Sequence, residues 1–202
     1  MNFKKMTAFA IASFTLLCMY ASAQKRTVIA GDYKNLKDIK EFNLVFDYKG
    51  LMVDKSSEEG FLKDRMEKRS DENAQEFRDG WFADRENRYE PKFVESFNKR
   101  FEGSEVTVAE GRSDAKYTIK VKTTWIHPGF NAGVVRSTSA INVTVSVFET
   151  SNPDNLLLSV NYEKVPGKGA MGFDYNSGYR ISEAYAKLGK AFGNDIRKKS
   201  KG

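Results

Sequence analysis

The sequence predicts one α+β domain: a two-layer sandwich with helices on one face of a mostly antiparallel, five-stranded sheet. The second half alternates apolar and polar residues at the period of strands, and other segments repeat apolar residues at helical spacing. The resulting order is β-α-α-β-β-β-β-α, in which only the helices can cover the apolar strand faces. Hydrophobic residues form 40% of the 202 residues, enough for one packed core.

The first 23 residues have the pattern of an export signal. Lys4 and Lys5 form a basic start, the stretch from Met6 to Tyr20 carries no charge, and Ala21-Ser22-Ala23 before Gln24 matches an A-x-A cleavage site. The apolar run is shorter than the ~20 residues that a membrane-spanning helix needs. We therefore expect cleavage after Ala23, a periplasmic or secreted protein, and no transmembrane segment after signal removal.

Cys18 is the only cysteine of the chain, and it lies inside the predicted signal. Bacterial lipoprotein signals place a small residue directly before the cysteine, whereas Leu16 and Leu17 precede it here. Soluble export is therefore favoured over lipid anchoring. Cleavage after Ala23 would leave no cysteine, which excludes disulfides, thiolate nucleophiles and cysteine-ligated metals in the mature chain.

The mature chain divides into an arm over 24–41, a domain over 42–198 and a basic tail over 199–202. The domain opens with apolar residues at alternate positions of 42–48, which predict a first strand that can continue to Val53. Residues 56–90 then form a long, highly charged helical segment, one helix or two. Its apolar stripe is sparse, so much of it is expected to project into water.

The rest of the domain contains one short helix, four strands and a final helix. Pro91 suits the first turn of a new helix, and apolar residues recur at helical spacing until Gly103. Alternating residues predict strands over 106–108, 117–125, 141–147 and 156–162. We expect the last three strands to form an antiparallel meander. Asn176 or Ser177 can then cap an amphipathic helix that continues through Ile196.

The net positive charge of the chain comes from residues at its two ends. There are 33 basic and 27 acidic residues, but without the signal and the C-terminal cations the two kinds are equal in number. The basic residues at the C-terminus are Arg197, Lys198, Lys199 and Lys201. We therefore predict no nucleic-acid partner. The tail is interpreted as solvated and favourable to the negative end of the last helix, with weak contact to an anionic surface as the alternative.

The sequence assigns no catalytic residue, no metal site and no cofactor. His127 is the only histidine, which excludes the two-histidine zinc motifs. A Ser-His-Asp triad would have to use it with Ser137 or Ser139, but no G-x-S-x-G motif occurs, so we interpret His127 as an ordinary loop residue. Gly167, Gly169 and Gly172 match G-x-G-x-x-G outside the context of a nucleotide fold, so we interpret them as a flexible connection.

The connection over 126–139 is the candidate binding segment. Its 14 residues exceed the ~2 to 5 of ordinary hairpin loops. It carries Phe130, Val134 and Val135 among glycines. These side chains either fold back over the core or form a contact patch for a partner, and both readings remain open at this point.

The second half resembles uncharacterised envelope proteins of Gram-negative bacteria. The pattern that carries this is an alternating strand after Asp114-Ala115-Lys116, a long glycine-containing hairpin, the strand from Ile141 to Glu149, a polar turn, another strand and an amphipathic helix. Their domain is similar to the N-terminal α/β domain of TolB and to curli-secretion lipoproteins. The resemblance implies an envelope location and transfers no functional residue.

These observations favour an exported, non-enzymatic protein that binds another envelope protein or polymer, as a binding or assembly accessory module. Two alternatives stay open. One is a secreted hydrolase that uses a carboxylate pair, for which the many acids of 58–90 could serve. The other is a carrier of an apolar ligand held between the sheet and the helices.

Overall fold

The computed structural model describes residues 24–104, 106–132, 134–167 and 176–200. The predictions on the signal, its cleavage site and Cys18 lie outside these ranges, as do those on Gly169, Gly172 and Lys201. Among the residues described, no helix is both long and apolar enough to cross a membrane.

Ten strands and four α-helices follow one another along the described chain. The strands are β1 (Lys25–Gly31), β2 (Glu41–Asp47), β3 (Met52–Val53), β4 (Ser56–Ser57), β5 (Thr107–Glu110), β6 (Tyr117–His127), β7 (Phe130–Ala132), β8 (Val135–Ser137), β9 (Ser139–Glu149) and β10 (Asn152–Gly167). The α-helices are α1 (Glu58–Met66), α2 (Asp71–Asp84), α3 (Glu90–Asn98) and α4 (Ser177–Lys199). A 3-10 turn (Tyr33–Leu36) and a π-helical turn (Arg85–Tyr89) complete them.

Among the described residues the main sheet has eight strands and is mixed, so the predicted five-stranded, mostly antiparallel sheet is wrong in number and in pairing. The strand order is β1-β10-β9-β6-β2-β5, with β3 beside β6 and β4 beside β3. The predicted meander of β6, β9 and β10 is confirmed as antiparallel. β2, however, runs parallel to both β5 and β6. Parallel pairing is possible because the helices between β2 and β5 carry the chain back to the starting end of the sheet.

Two of the additional strands, β1 and β4, lie in segments where no strand was predicted, and a third, β3, lies in the predicted continuation of the first strand to Val53. β1 falls in the predicted arm over 24–41 and forms one edge of the sheet, where it pairs with β10. Most of its residues are exposed, so it shows no alternation of apolar and polar residues. β3 and β4 have two residues each, too few to show a period. Pairing with neighbouring strands, rather than local pattern, explains these elements.

The charged segment contains helix α1 and, after a turn over 67–70, a second helical path that changes pitch before α3, whose first turn contains Pro91 as predicted. α2, the π-helical turn and α3 follow each other without a break. The backbone N–H of Glu90 donates to the carbonyl of Arg85, five residues back. Proline has no N–H and its ring crowds the carbonyl four residues earlier, so a wider turn accommodates Pro91.

The core lies between the sheet and the helices α3 and α4. In β9, Ile141, Val143, Val145 and Val147 are fully buried, as the alternation predicted. Tyr185 of α4 stacks on Tyr89 with ring centroids 5.2 Å apart, and its hydroxyl lies 2.6 Å from the Thr123 hydroxyl of β6. These contacts join the final helix to the π-helical turn and to the middle of the sheet.

A buried carboxylate ties the first strand to the last helix. Asp195 of α4 accepts hydrogen bonds from the Arg26 guanidinium at 2.8 Å and from the Tyr33 hydroxyl at 3.2 Å. The hydroxyl of Tyr162 donates to the same carboxylate at 3.4 Å. The pKa of Tyr33 is raised to about 12, because burial and the nearby carboxylate disfavour its ionised form. Polar contacts thus hold edge strand β1 against helix α4.

Candidate functional site

The three candidate binding residues lie on a small hairpin that stands apart from the main sheet. Strands β7 and β8 form a separate two-stranded sheet, with Phe130 opposite Ser137 and Ala132 opposite Val135. Val134 is fully exposed, Val135 is 61% exposed and Phe130 is 48% exposed. These apolar side chains therefore face outward and do not fold back over the core.

The base of this hairpin is fastened to α4 by Arg180. This side chain is buried, its Nε donates to the carbonyl of Pro128 at 3.2 Å, and an Nη donates to that of Gly129 at 3.1 Å. The hydroxyl of Ser139 donates to the carbonyl of Arg180 at 2.7 Å. The charge-assisted bonds of the guanidinium hold the first end of the hairpin against the helix, and the neutral Ser139 bond holds the other end.

Gly129 lets the chain turn into the hairpin. Its φ is +66°, in the left-handed region that glycine adopts without steric cost. A Cβ at this position would lie 2.4 Å from the carbonyl oxygen of Ser137 and 2.7 Å from the nitrogen of Ser139. No other residue fits this approach without moving the backbone.

A second contact joins the hairpin to the turn between β3 and β4. His127 Nε2 lies 2.9 Å from the Ser137 hydroxyl, and its Nδ1 contacts a carboxylate oxygen of Asp54. The indole of Trp125 stacks on the imidazole and donates to the backbone carbonyl of Asp54 at 2.8 Å. Asp54 has a φ of +54°, a conformation that aspartate tolerates better than most residues.

The contact order Asp54–His127–Ser137 is that of a Ser-His-Asp triad. The sequence indicated His127 and Ser137, which are close along the chain, but nothing in it indicated Asp54. The side chain of Asp54 is 41% exposed and that of His127 is 30% exposed. The group is open to solvent. Its main role is to hold the base of the hairpin in place, in addition to Arg180.

Together these contacts present apolar side chains on a fixed support. Arg180, Gly129 and the Asp54–His127–Ser137 group hold the base, so the tip loses little conformational freedom when a partner covers it. Sequence reasoning found the tip, because an apolar cluster in a long hairpin is visible in the sequence. It missed Arg180, since that residue lies 51 positions or more from the carbonyls it contacts.

Carboxylates come together elsewhere, near the π-helical turn. Glu90 is buried, and its Oε1 accepts a hydrogen bond from the Tyr48 hydroxyl at 3.1 Å. Burial, and then the nearby charge of Glu110, raise the pKa of Glu90. Burial and the charge of Glu86 likewise raise the pKa of Glu110. Within the described ranges, no group of three or more His, Asp or Glu residues is arranged to hold a metal ion.

Replacing Glu90 with glutamine is expected to stabilise the protein at neutral pH. A raised pKa means that folding favours the protonated form, so the carboxylate lowers stability once the pH exceeds the unfolded value of 4.5. Glutamine removes the charge and keeps an oxygen for the Tyr48 hydroxyl. Melting temperatures should therefore be higher for Glu90→Gln at pH 7, with the difference shrinking to nothing as the pH falls below that unfolded value.

The matched control is Glu95→Gln, on the exposed side of the same helix. Glu95 is exposed and pairs only loosely with Lys92, at 3.5 Å. Its melting temperature should follow that of the wild type at every pH. If Glu90→Gln were less stable than the wild type at pH 7, the buried carboxylate would be a stabilising group and this account would be wrong.

No family model matches the chain, and no curated protein matches it. Among solved structures, the chain is similar to the PelC dodecamer from Paraburkholderia phytofirmans. The TM-score is 0.40 at 11% sequence identity, over 83% of this chain and 95% of that chain. A dodecamer of a PelC point variant from the same organism has a TM-score of 0.41 at 10% identity, over 86% of this chain and 97% of that chain. The likeness is distant and carries no argument about function.

Proposed function

We propose that the chain is an exported, non-enzymatic envelope protein that binds another envelope protein through the tip of the β7–β8 hairpin. The observation that carries this proposal is the outward position of Phe130, Val134 and Val135. Export and the envelope location rest on the sequence of the first 23 residues and on the resemblance drawn from the second half.

A protein partner fits this tip better than a sugar polymer. Branched aliphatic and aromatic side chains gain binding energy when another apolar surface covers them. A polysaccharide would instead call for polar groups, which the three tip residues do not offer. The fastened base agrees with this role, since a rigid support lowers the entropic cost of binding.

Changing the three tip residues to serine should weaken partner binding strongly and leave the fold intact. A photo-crosslinking residue at position 134 would first identify the partner in envelope extract, and the purified partner would then be titrated against each variant. Binding should weaken at least about a hundredfold, because each buried side chain contributes on the order of 1.5 kcal/mol. The melting temperature should hardly change, since the side chains are exposed.

The matched control replaces three other exposed apolar residues, Val28, Ile29 and Leu156, with serine. This variant should bind the partner as the wild type does. Equal binding by the tip variant and the wild type would overturn the proposal. A marked loss of melting temperature in the tip variant would mean that the tip supports the core.

A second candidate function, ester hydrolysis, is favoured by the Asp54–His127–Ser137 group. In such a reaction the Ser137 oxygen would attack an ester carbonyl, and its proton would pass through His127 Nε2 to the departing alcohol. Water would then release the acid and restore the hydroxyl. Phe61, Arg65 and Trp125 help to line an open cleft of about 450 Å³ beside His127.

A fluorophosphonate probe separates this candidate from the binding role. If the group is catalytic, the probe should form an adduct at Ser137 that mass spectrometry can locate, and His127→Gln should prevent the adduct. Ser56→Ala, on the same cleft, is the control and should label normally. Absence of the adduct in the wild-type protein would mean that the group is not catalytic and only holds the hairpin in place.

A further inference from the structure

A large cleft lies at the C-terminal end of α4, whereas the hairpin contacts the N-terminal end of that helix. Its volume is about 720 Å³, within the roughly 300–1,000 Å³ of small-molecule sites. Three parts of the chain line it: the segment after the 3-10 turn, the segment after α3 and the last turn of α4. Ile39, Phe101 and Ile196 supply apolar side chains, one from each part.

Cations outnumber anions around this cleft. The described lining residues include four basic ones, Lys37, Lys40, Arg100 and Arg197. The acidic ones among them are Asp38 and Glu102. An apolar interior with a cationic margin is complementary to a molecule that has an apolar body and an anionic head.

Arg100 provides a second indication that an anion belongs here. Its Cβ and Cγ lie against Gly193 of α4, where an added Cβ would be only 3.1 Å from the Cγ. Its Nε is buried without a hydrogen-bond partner in the part of the chain that the structure describes. A partly desolvated guanidinium is costly unless an anion lies near it.

The cations of α4 also have a general role, which must be separated from ligand binding. Arg197, Lys198 and Lys199 all lie in the last turn, where positive charge offsets the negative end of the helix dipole. Among these three, however, only Arg197 lines this cleft. Lys198 lies on a different surface depression, beside β1.

We propose that this cleft binds a single-chain amphiphile with a carboxylate or phosphate head. The chain occupies the apolar interior beside Ile39, Phe101 and Ile196, and the head lies beside Arg100 and Arg197. This inference does not depend on the role of the hairpin, because the two sites share no residue. It gives the ligand-carrier alternative a specific place at the end of the fold, rather than between the sheet and the helices.

Titration calorimetry of the exported protein with dodecanoate, below its micelle concentration, tests the proposal. We expect saturable binding of one molecule, with decanoate about tenfold weaker, since each methylene contributes ~0.8 kcal/mol. Dodecyl phosphate should bind as well, whereas dodecanol should bind at least several-fold more weakly because it lacks the charge. Inorganic phosphate alone should not bind, which distinguishes an amphiphile site from a phosphate site.

Arg197→Gln and Arg100→Gln should each weaken dodecanoate binding on the order of tenfold. Lys198→Gln is the matched control, since it removes the same charge from the same helical turn without touching the cleft. Melting temperatures of all three variants establish that each is folded.

Three results would overturn the proposal: no binding of dodecanoate, equal affinity for dodecanoate and dodecanol, or equal loss of affinity in Arg197→Gln and Lys198→Gln. In the third case, vesicles of anionic lipid would show whether the basic helix end contacts a membrane surface instead. Failure of this experiment would leave the hairpin proposal untouched, because the tip-variant titration uses a different partner and different residues.

Discussion

Val145→Asp is expected to destabilise the protein by about 4 kcal/mol or more. Val145 is fully buried at the centre of the sheet, between Val121 of β6 and Val160 of β10, which are buried as well. A carboxylate there would have only apolar neighbours on both adjoining strands. Urea denaturation followed by circular dichroism measures the loss, unless the variant is already unfolded in buffer.

The neighbouring substitution Asn142→Asp is the control on the opposite face of β9. Asn142 is partly exposed, and its Oδ1 accepts a hydrogen bond from the backbone N–H of Lys164 at 2.7 Å. A carboxylate can accept the same bond, so the cost should stay below about 1 kcal/mol. Similar losses of stability for the two variants would mean that the buried and exposed faces of β9 are assigned the wrong way round.

Asp195→Ala is expected to lower the free energy of unfolding by about 3 kcal/mol. The change removes the acceptor shared by Arg26, Tyr33 and Tyr162, and it leaves the two tyrosine hydroxyls without that carboxylate. Edge strand β1 should loosen first, because Arg26 is its polar contact to α4. Urea denaturation gives the total loss, and hydrogen exchange of the amides of 25–31 should show faster opening than in the wild type.

Lys199→Ala is the control for this network. Its Nζ lies 3.5 Å from the Asp195 carboxylate, but the lysine side chain is exposed. Exposed ion pairs contribute little, so the cost should be below about 1 kcal/mol. If the two variants lost equal stability, the surface charge of α4, and not the buried carboxylate, would hold β1 in place.

Local pattern determined the parts of the fold whose residues alternate between core and surface. Strands β6, β9 and β10 and helix α4 were predicted because each has one buried face, and burial imposes a period on the sequence. The outward hairpin residues were also visible, as an apolar cluster in a connection too long for a simple turn. In each case the information lies within about 25 neighbouring residues, the length of the longest of these elements, α4 at 23 residues.

Tertiary structure alone decided which strands pair and which side chains meet. β1 lies at an exposed edge and has no periodic pattern, and the parallel pairing of β2 depends on where three helices return the chain. The partners of Arg180, Asp54 and Asp195 lie far from them in sequence. Burial is visible in the neighbouring sequence, because it restricts the polarity of the residues there. Contact between distant segments produces no such pattern in a single sequence.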